Sequence, residues 1–179
     1  MTQHEYIFVT VSIIIGIALT RILHVVGDLI RYHQEVKFHW STVIWGFSVL
    51  IYILQLWWIG WDLHDYSEWT FIHFFTLFFA TTCIYGAAEM ALPDPDDGQF
   101  DMLKHSQGLG RVSAMSLLVY FLLGPFINIY MFDNPVILSI LIPAVGVLLM
   151  SLVIFIPRWF KGLSIVFGVY SLAVLSVTI

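Results

Sequence analysis

Four residues of the first apolar segment, Arg21, His24, Asp28 and Arg31, offer the most chemistry, and the last three follow Arg21 at offsets of three, seven and ten. On an α-helix those offsets return to nearly the same face, so the four form one polar stripe opposite an aliphatic one. An arginine at the centre of a membrane span costs about 2.5–3.5 kcal/mol on insertion scales, and it therefore faces protein or a water-filled cavity. Three readings suit such a stripe. It is a structural charge that ties helices together, a wall of the path taken by an ion or small solute, or part of a tilted helix whose lower turns lie in the interface. His24 and Asp28, four apart, can pair along the helix. Glu89, four residues before Pro93, is expected at the depth of Asp28, where two neighbouring carboxylates could share a proton. With Arg31 at the inner boundary, the helical rise places Arg21 about 15 Å deeper, close to mid-membrane. Residues expected at that depth are Ser48, Thr82, Tyr85 and Tyr120, none of them acidic. A tyrosine, a backbone carbonyl or a bound anion is thus the expected partner of Arg21.

The second segment carries Ser41, Ser48, Gln55 and Asp62 at seven-residue spacing, with Trp45 and Tyr52 between them. This is one helix face, polar from end to end, and in lipid it must look inward. Weaker stripes run through Ser116, Tyr120, Gly124 and Asn128, and through Ser164, Gly168, Ser171 and Thr178. Such small and hydroxyl residues serve helix packing more often than pore lining. Together these patterns name Arg21, His24, Asp28, Ser48, Gln55, Glu89 and Asn128 as candidates for a substrate or ion pathway. His64, Asp65 and His73 are the candidates for a zinc or copper site, although their spacing matches no established ligand motif. No haem is expected, because the two histidines within spans, His24 and His73, lie near opposite faces. Residues 94–98, Asp-Pro-Asp-Asp-Gly, resemble a calcium loop only superficially. The glycine is fifth and not sixth, and no glutamate is twelfth, so the stretch reads as a solvated turn. Nucleophile elbow, phosphate loop, dinucleotide fingerprint and zincin motif are all absent, and no polybasic run invites nucleic acid. No cofactor and no catalytic residue is expected.

The elements that must position these residues follow from composition. Of 179 residues, 60% are hydrophobic and only 11% charged, too few for a water-exposed surface. One cysteine excludes a disulfide framework within the chain. Apolar runs near 6–30, 40–61, 69–92, 112–132, 135–156 and 163–179 are long enough, or nearly so, to cross a hydrocarbon core of about 30 Å. The expected fold is all-α, a single transmembrane domain over residues 1–179 with six spans in a compact bundle and an acidic inner loop at 93–111. The first run lacks a basic leader and a cleavage site, and reads as a retained span. Pro125 and Pro143 lie inside spans and are expected to kink them. Comparing the first three spans with the last three shows no repeat beyond Gly16 and Gly124.

Arg31 and Lys37, Lys104 and Arg111, and Arg158 and Lys161 fall in alternate loops. By the positive-inside rule those loops are cytoplasmic and both termini lie outside, as in a bacterial inner membrane. Trp57, Trp58, Trp61 and Trp69 would anchor the outer interface, Trp40 and Trp159 the inner one. The outer side collects Glu5, Asp62, Asp65, Glu68 and Asp133 without lysine or arginine, and should concentrate cations. Arg21 argues against a simple cation pore, and the sequence leaves that conflict standing. The leading expectation is a small ion channel or solute transporter, in contact with lipid and assembled as a homo-oligomer through its small-residue faces. A non-catalytic membrane subunit or scaffold is the alternative. A third is a membrane oxidoreductase or metal-dependent enzyme built on the outer histidines and carboxylates.

Overall fold

The computed structural model describes residues 2–66, 68–95 and 101–178. It is all-helical, with six helices long and apolar enough to cross a membrane. In chain order the α-helices of the described residues are α1 (Gln3–Arg31), α2 (Trp40–Asp62), α3 (Phe71–Glu89), α4 (Met102–Gln107), α5 (Arg111–Tyr130), α6 (Val136–Phe155) and α7 (Phe160–Thr178), and all but the short α4 are of membrane-spanning length. Single 3-10 turns at Leu63–Asp65 and Pro157–Trp159 follow α2 and precede α7.

Local chemistry sets the ends. Thr2 and Glu5 form a reciprocal capping box at the start of α1, at 3.1 and 2.8 Å. Between α5 and α6, Asp133 takes the left-handed conformation at φ 50°, the Asn134 amide bonds back to the Asn128 carbonyl at 3.0 Å, and Pro135 precedes α6. Asp133 serves there because its short polar side chain tolerates that conformation.

Lipid offers no hydrophobic drive between helices, so close packing and interhelical hydrogen bonds must hold them. α1 lays Ile7, Val11, Ile15, Ala18, Ile22 and Val25 inward and packs chiefly on α3. α3 packs on α5, α5 on α6, and α2 on α7. Glycines permit the closest approaches: a Cβ on Gly146 would stand 2.7 Å from the Phe121 ring, and one on Gly46 2.8 Å from Leu92. Gly124 meets Pro143 and Gly168 meets Ile44 in the same way. The small-residue stripes of α5 and α7 are therefore used inside one chain. Ser113 joins three helices, accepting from Trp45 Nε1 at 3.0 Å and donating to the Ala87 carbonyl at 2.8 Å. Thr42 ties α4 to α2, donating to the Met102 carbonyl at 3.0 Å and lying 2.7 Å from the Ser106 hydroxyl.

Two features depart from the sequence expectation. α3 stops at Glu89, not 92, and the expected loop at 93–111 holds the helix α4, which ends in a break at residues 108–110 where the Gly110 amide bonds to the His105 carbonyl. α1 has 29 residues, so at the helical rise it is about 43 Å long against a core of about 30 Å. The helices alternate in direction, which gathers all seven lysines and arginines toward one half of the bundle. The two ends are called basic and acidic below; Glu5, Asp62 and Asp133 mark the acidic one.

Candidate functional site

Two polar groups stand apart in the bundle. Toward the basic end, Arg21 Nε lies 3.2 Å from Glu89 Oε1 and Arg21 Nη2 2.9 Å from Asp94 Oδ2. The guanidinium thus has two acidic partners, where the sequence suggested a tyrosine, a carbonyl or an anion. The depth assignment misled: Glu89 is the last residue of α3, so Arg21 stands level with the end of its neighbour, and the remaining turns of the long α1 run on past it. Asp94, expected in a solvated turn, has a side chain only 12% exposed; residues 96–98 of that turn lie outside the described residues.

About two turns further along α1, Asp28 is buried and held by His24 Nδ1 at 2.9 Å and Arg31 Nη1 at 3.1 Å. Glu89 is engaged by Arg21, seven residues from Asp28. The two carboxylates expected to share a proton are therefore held by different cations. From Ile22 onward, α1 and α2 border an apolar groove of about 510 Å³, walled by Val26, Leu29 and Ile30 on one side and Val43, Phe47 and Leu50 on the other. His105 on α4 sits beneath the loop after α3, with Nε2 3.1 Å from the Met90 carbonyl. Burial pushes its pKa down, against the opposing effect of that bond.

Toward the acidic end, α2, α5, α6 and α7 enclose a cavity of about 360 Å³. α2 packs on α7 and α5 on α6, and the cavity is the space these two pairs leave. Its inner wall is aromatic: the Tyr52 ring stands 5.3 Å from Phe121, 5.8 Å from Phe167 and 6.0 Å from Tyr120, edge-on to Phe121 and Tyr120 and stacked on Phe167. Trp45 follows at 5.0 Å from Phe167. This block of rings closes the cavity against the basic end. Asp62, Asn128 and Asn134 line the opposite side, near the ends of α2 and α5.

Two buried polar atoms on the cavity wall, Gln55 Oε1 and Ser139 Oγ, make no hydrogen bond, and the Tyr52 hydroxyl has its oxygen left to accept, its own hydrogen being directed at the hydroxyls of Tyr170 and Ser171. The orientation of Gln55 follows from its neighbour. The Thr178 hydroxyl donates to the Val174 carbonyl at 2.9 Å, so its oxygen must accept, and Gln55 Nε2 donates to it at 2.6 Å. The amide oxygen is left facing the cavity. Tyr52 lies beside Tyr170 and Ser171, whose hydroxyls are given to the carbonyls of Ile142 and Phe167, each at 2.7 Å. An orphaned buried acceptor costs about 1–3 kcal/mol, so such a cluster invites a partner.

The seven residues proposed for a pathway therefore divide. Arg21, His24, Asp28 and Glu89 gather toward the basic end. Gln55 and Asn128 share the cavity. Ser48 joins neither, being buried beside Gly168 and bonded to the Ile44 carbonyl at 2.8 Å. Sequence reasoning missed Asp94, Ser139 and Tyr170. The signal for Asp94 was its place between Pro93 and Pro95, a rigid turn directly after α3; Ser139 stands one turn before Pro143 in an otherwise aliphatic run.

Of the metal candidates, His64 and His73 each bond within their own segment of chain. His64 Nδ1 is 2.8 Å from the Trp61 carbonyl, and His73 Nδ1 is 3.2 Å from the Tyr66 hydroxyl and 3.1 Å from the Glu68 carbonyl. The Asp65 side chain lies outside the described residues. Among the described residues, no three histidine, cysteine or acidic side chains are grouped as a metal ion requires.

Compared with known protein families, with curated proteins and with solved structures, the chain matches none.

Proposed function

We propose that this protein is a small-solute transporter of a bacterial inner membrane, in a conformation whose binding cavity faces the acidic end. One observation carries the reading: a cavity of about 360 Å³ holds two unsatisfied hydrogen-bonding atoms, Gln55 Oε1 and Ser139 Oγ, and ends on packed aromatic rings. A volume of this order suits a small molecule. A standing channel requires a polar path between the two ends, and Tyr52, Phe121 and Phe167 fill the place where it would run. A protein that alternates between two openings needs a plug of this kind. The positive-inside rule sets the basic end in the cytoplasm, both termini outside and the cavity toward the exterior. In this proposal α2 with α7 and α5 with α6 are the two bodies that rock, and the Arg21–Glu89–Asp94 ion pairs latch the cytoplasmic side. A homo-oligomer remains part of the proposal, with its contact on the face of α1 that holds Gly16 and Gly27, where a Cβ would meet open space.

The test is uptake into proteoliposomes from a mixture of small metabolites, read by mass spectrometry against protein-free vesicles. One solute or a chemically related few should accumulate, and Gln55→Leu together with Ser139→Ala should abolish that accumulation while the protein still folds. Uptake no greater than in empty vesicles, or uptake that the double variant leaves unchanged, would refute transport through this cavity.

A further inference from the structure

We infer that the cavity between α2, α5, α6 and α7 recognises an organic cation, specifically an alkylammonium whose nitrogen carries at least one hydrogen. The inference rests on the cavity being the solute site, and it names the class of solute.

Four independent features of the site converge on that class. The first is the hydrogen-bonding demand. Gln55 Oε1 can only accept, since Thr178 fixes the amide, and a ligand must therefore bring it a donor. Ser139 Oγ and the Tyr52 hydroxyl can accept as well. An ammonium nitrogen is a compact donor able to serve more than one of them.

The second is formal charge. Asp62 lines the cavity and no lysine, arginine or histidine does. An anion would meet a carboxylate and unsatisfied acceptors. The third is the field of the backbone: α2, α5 and α7 present their C-terminal ends on this side and α6 its N-terminal end, so three negative helix ends outweigh one positive. The fourth is the aromatic wall. Tyr52, Tyr120, Phe121 and Tyr170 line the cavity with neighbouring centroids 5.3–6.0 Å apart. Aromatic π-systems attract cations, and the attraction grows when water is excluded. A bare alkali ion fits poorly: it needs a shell of oxygens, whereas this space is wide and largely walled by rings and aliphatic carbons.

Arg21, which weighed against cations when placed at mid-membrane, is neutralised by Glu89 and Asp94 beyond the aromatic block. It therefore does not oppose a cation in the cavity.

Three probes with one carbon skeleton isolate the polar head: 3,3-dimethylbutylammonium, 3,3-dimethylbutan-1-ol and 3,3-dimethylbutanoate. Their binding to the full chain in nanodiscs is measured by titration calorimetry, with potassium chloride alone as a further titrant. The ammonium should bind about tenfold or more tightly than the alcohol, a contrast of the size expected for cation–π and charge recognition together. The carboxylate and potassium should give no saturable heat. Tyr120→Leu should weaken ammonium binding by roughly three- to thirtyfold, while Asp62→Asn should weaken it by a few-fold and flatten its salt dependence. Equal or tighter binding of the alcohol or the carboxylate, or binding of potassium alone, overturns the cation assignment. If the ammonium fails to bind at millimolar concentration while the metabolite mixture is still taken up, the cation assignment falls and transport stands. If nothing binds and nothing is taken up, both fall. Thermal unfolding of each variant separates lost binding from lost folding.

Discussion

Arg21→Met should destabilise the bundle by about 2 kcal/mol, and the geometry sets that size. Two charge pairs at about 4 Å and an effective dielectric near 20 offer about 4 kcal/mol each in gross Coulomb energy. Desolvation offsets much of that. The Arg21 side chain is 24% exposed and Glu89 32%, so solvent screening reduces the remainder further. Truncating Arg21 removes both pairs at once and deprives Glu89 and Asp94 of the guanidinium they share. A double-mutant cycle with Glu89→Gln separates the contributions: Glu89→Gln alone should cost about 1 kcal/mol, and combining it with Arg21→Met should cost less than the sum of the two. The assay is reversible unfolding in mixed micelles, followed by tryptophan fluorescence and repeated at two ionic strengths. Native stability in Arg21→Met, or strict additivity in the cycle, would show that the guanidinium is solvated by lipid headgroups and water and gains nothing from these carboxylates.

Three further outcomes follow from packing and protonation. Gly146→Ala sets a methyl 2.7 Å from the Phe121 ring and should cost about 1–3 kcal/mol, read as a lowered unfolding midpoint. Ser113→Ala deprives the buried Trp45 Nε1 and the Ala87 carbonyl of their shared partner and should cost about 1–3 kcal/mol, with a shift in tryptophan emission. His105 is held below its ordinary value of 6.5 by burial, so the fold favours its neutral form. At pH values above the unfolded value the packing of α4 is at full strength, and it weakens as pH falls through the lower folded value. Hydrogen exchange of the α4 amides should therefore accelerate on acidification, and His105→Gln should remove that response.

Much of the fold was legible because lipid leaves the backbone little choice. A run of some twenty apolar residues has to satisfy its own amides, which makes it a helix, and the proline and aspartate breaks divide one helix from the next. The polar face of α2 was legible for the same reason, and Gln55 did prove to face a cavity. Depth was harder to read. Counting from Arg31 presumed that α1 ends at the membrane boundary, but a helix of 29 residues overshoots its neighbours, and the error carried Arg21 away from Glu89. Asp94 escaped notice because loop acids ordinarily meet water, and only tertiary structure folds this one back against α1. Gln55 gave no hint that Thr178, in the last turn of α7, would fix its amide. Contacts between residues 123 positions apart leave no trace in the periodicity of either segment.

The length of α1 makes bilayer thickness a mechanical input. A rod of about 43 Å in a slab of about 30 Å has to lean or protrude, and thinning the slab increases the lean. Arg21, fastened to the end of α3, is the natural fulcrum, and the stretch of α1 beyond it is the free arm bordering the 510 Å³ groove. Lipids of different chain length would then widen or narrow that wedge beside α2 without any ligand binding.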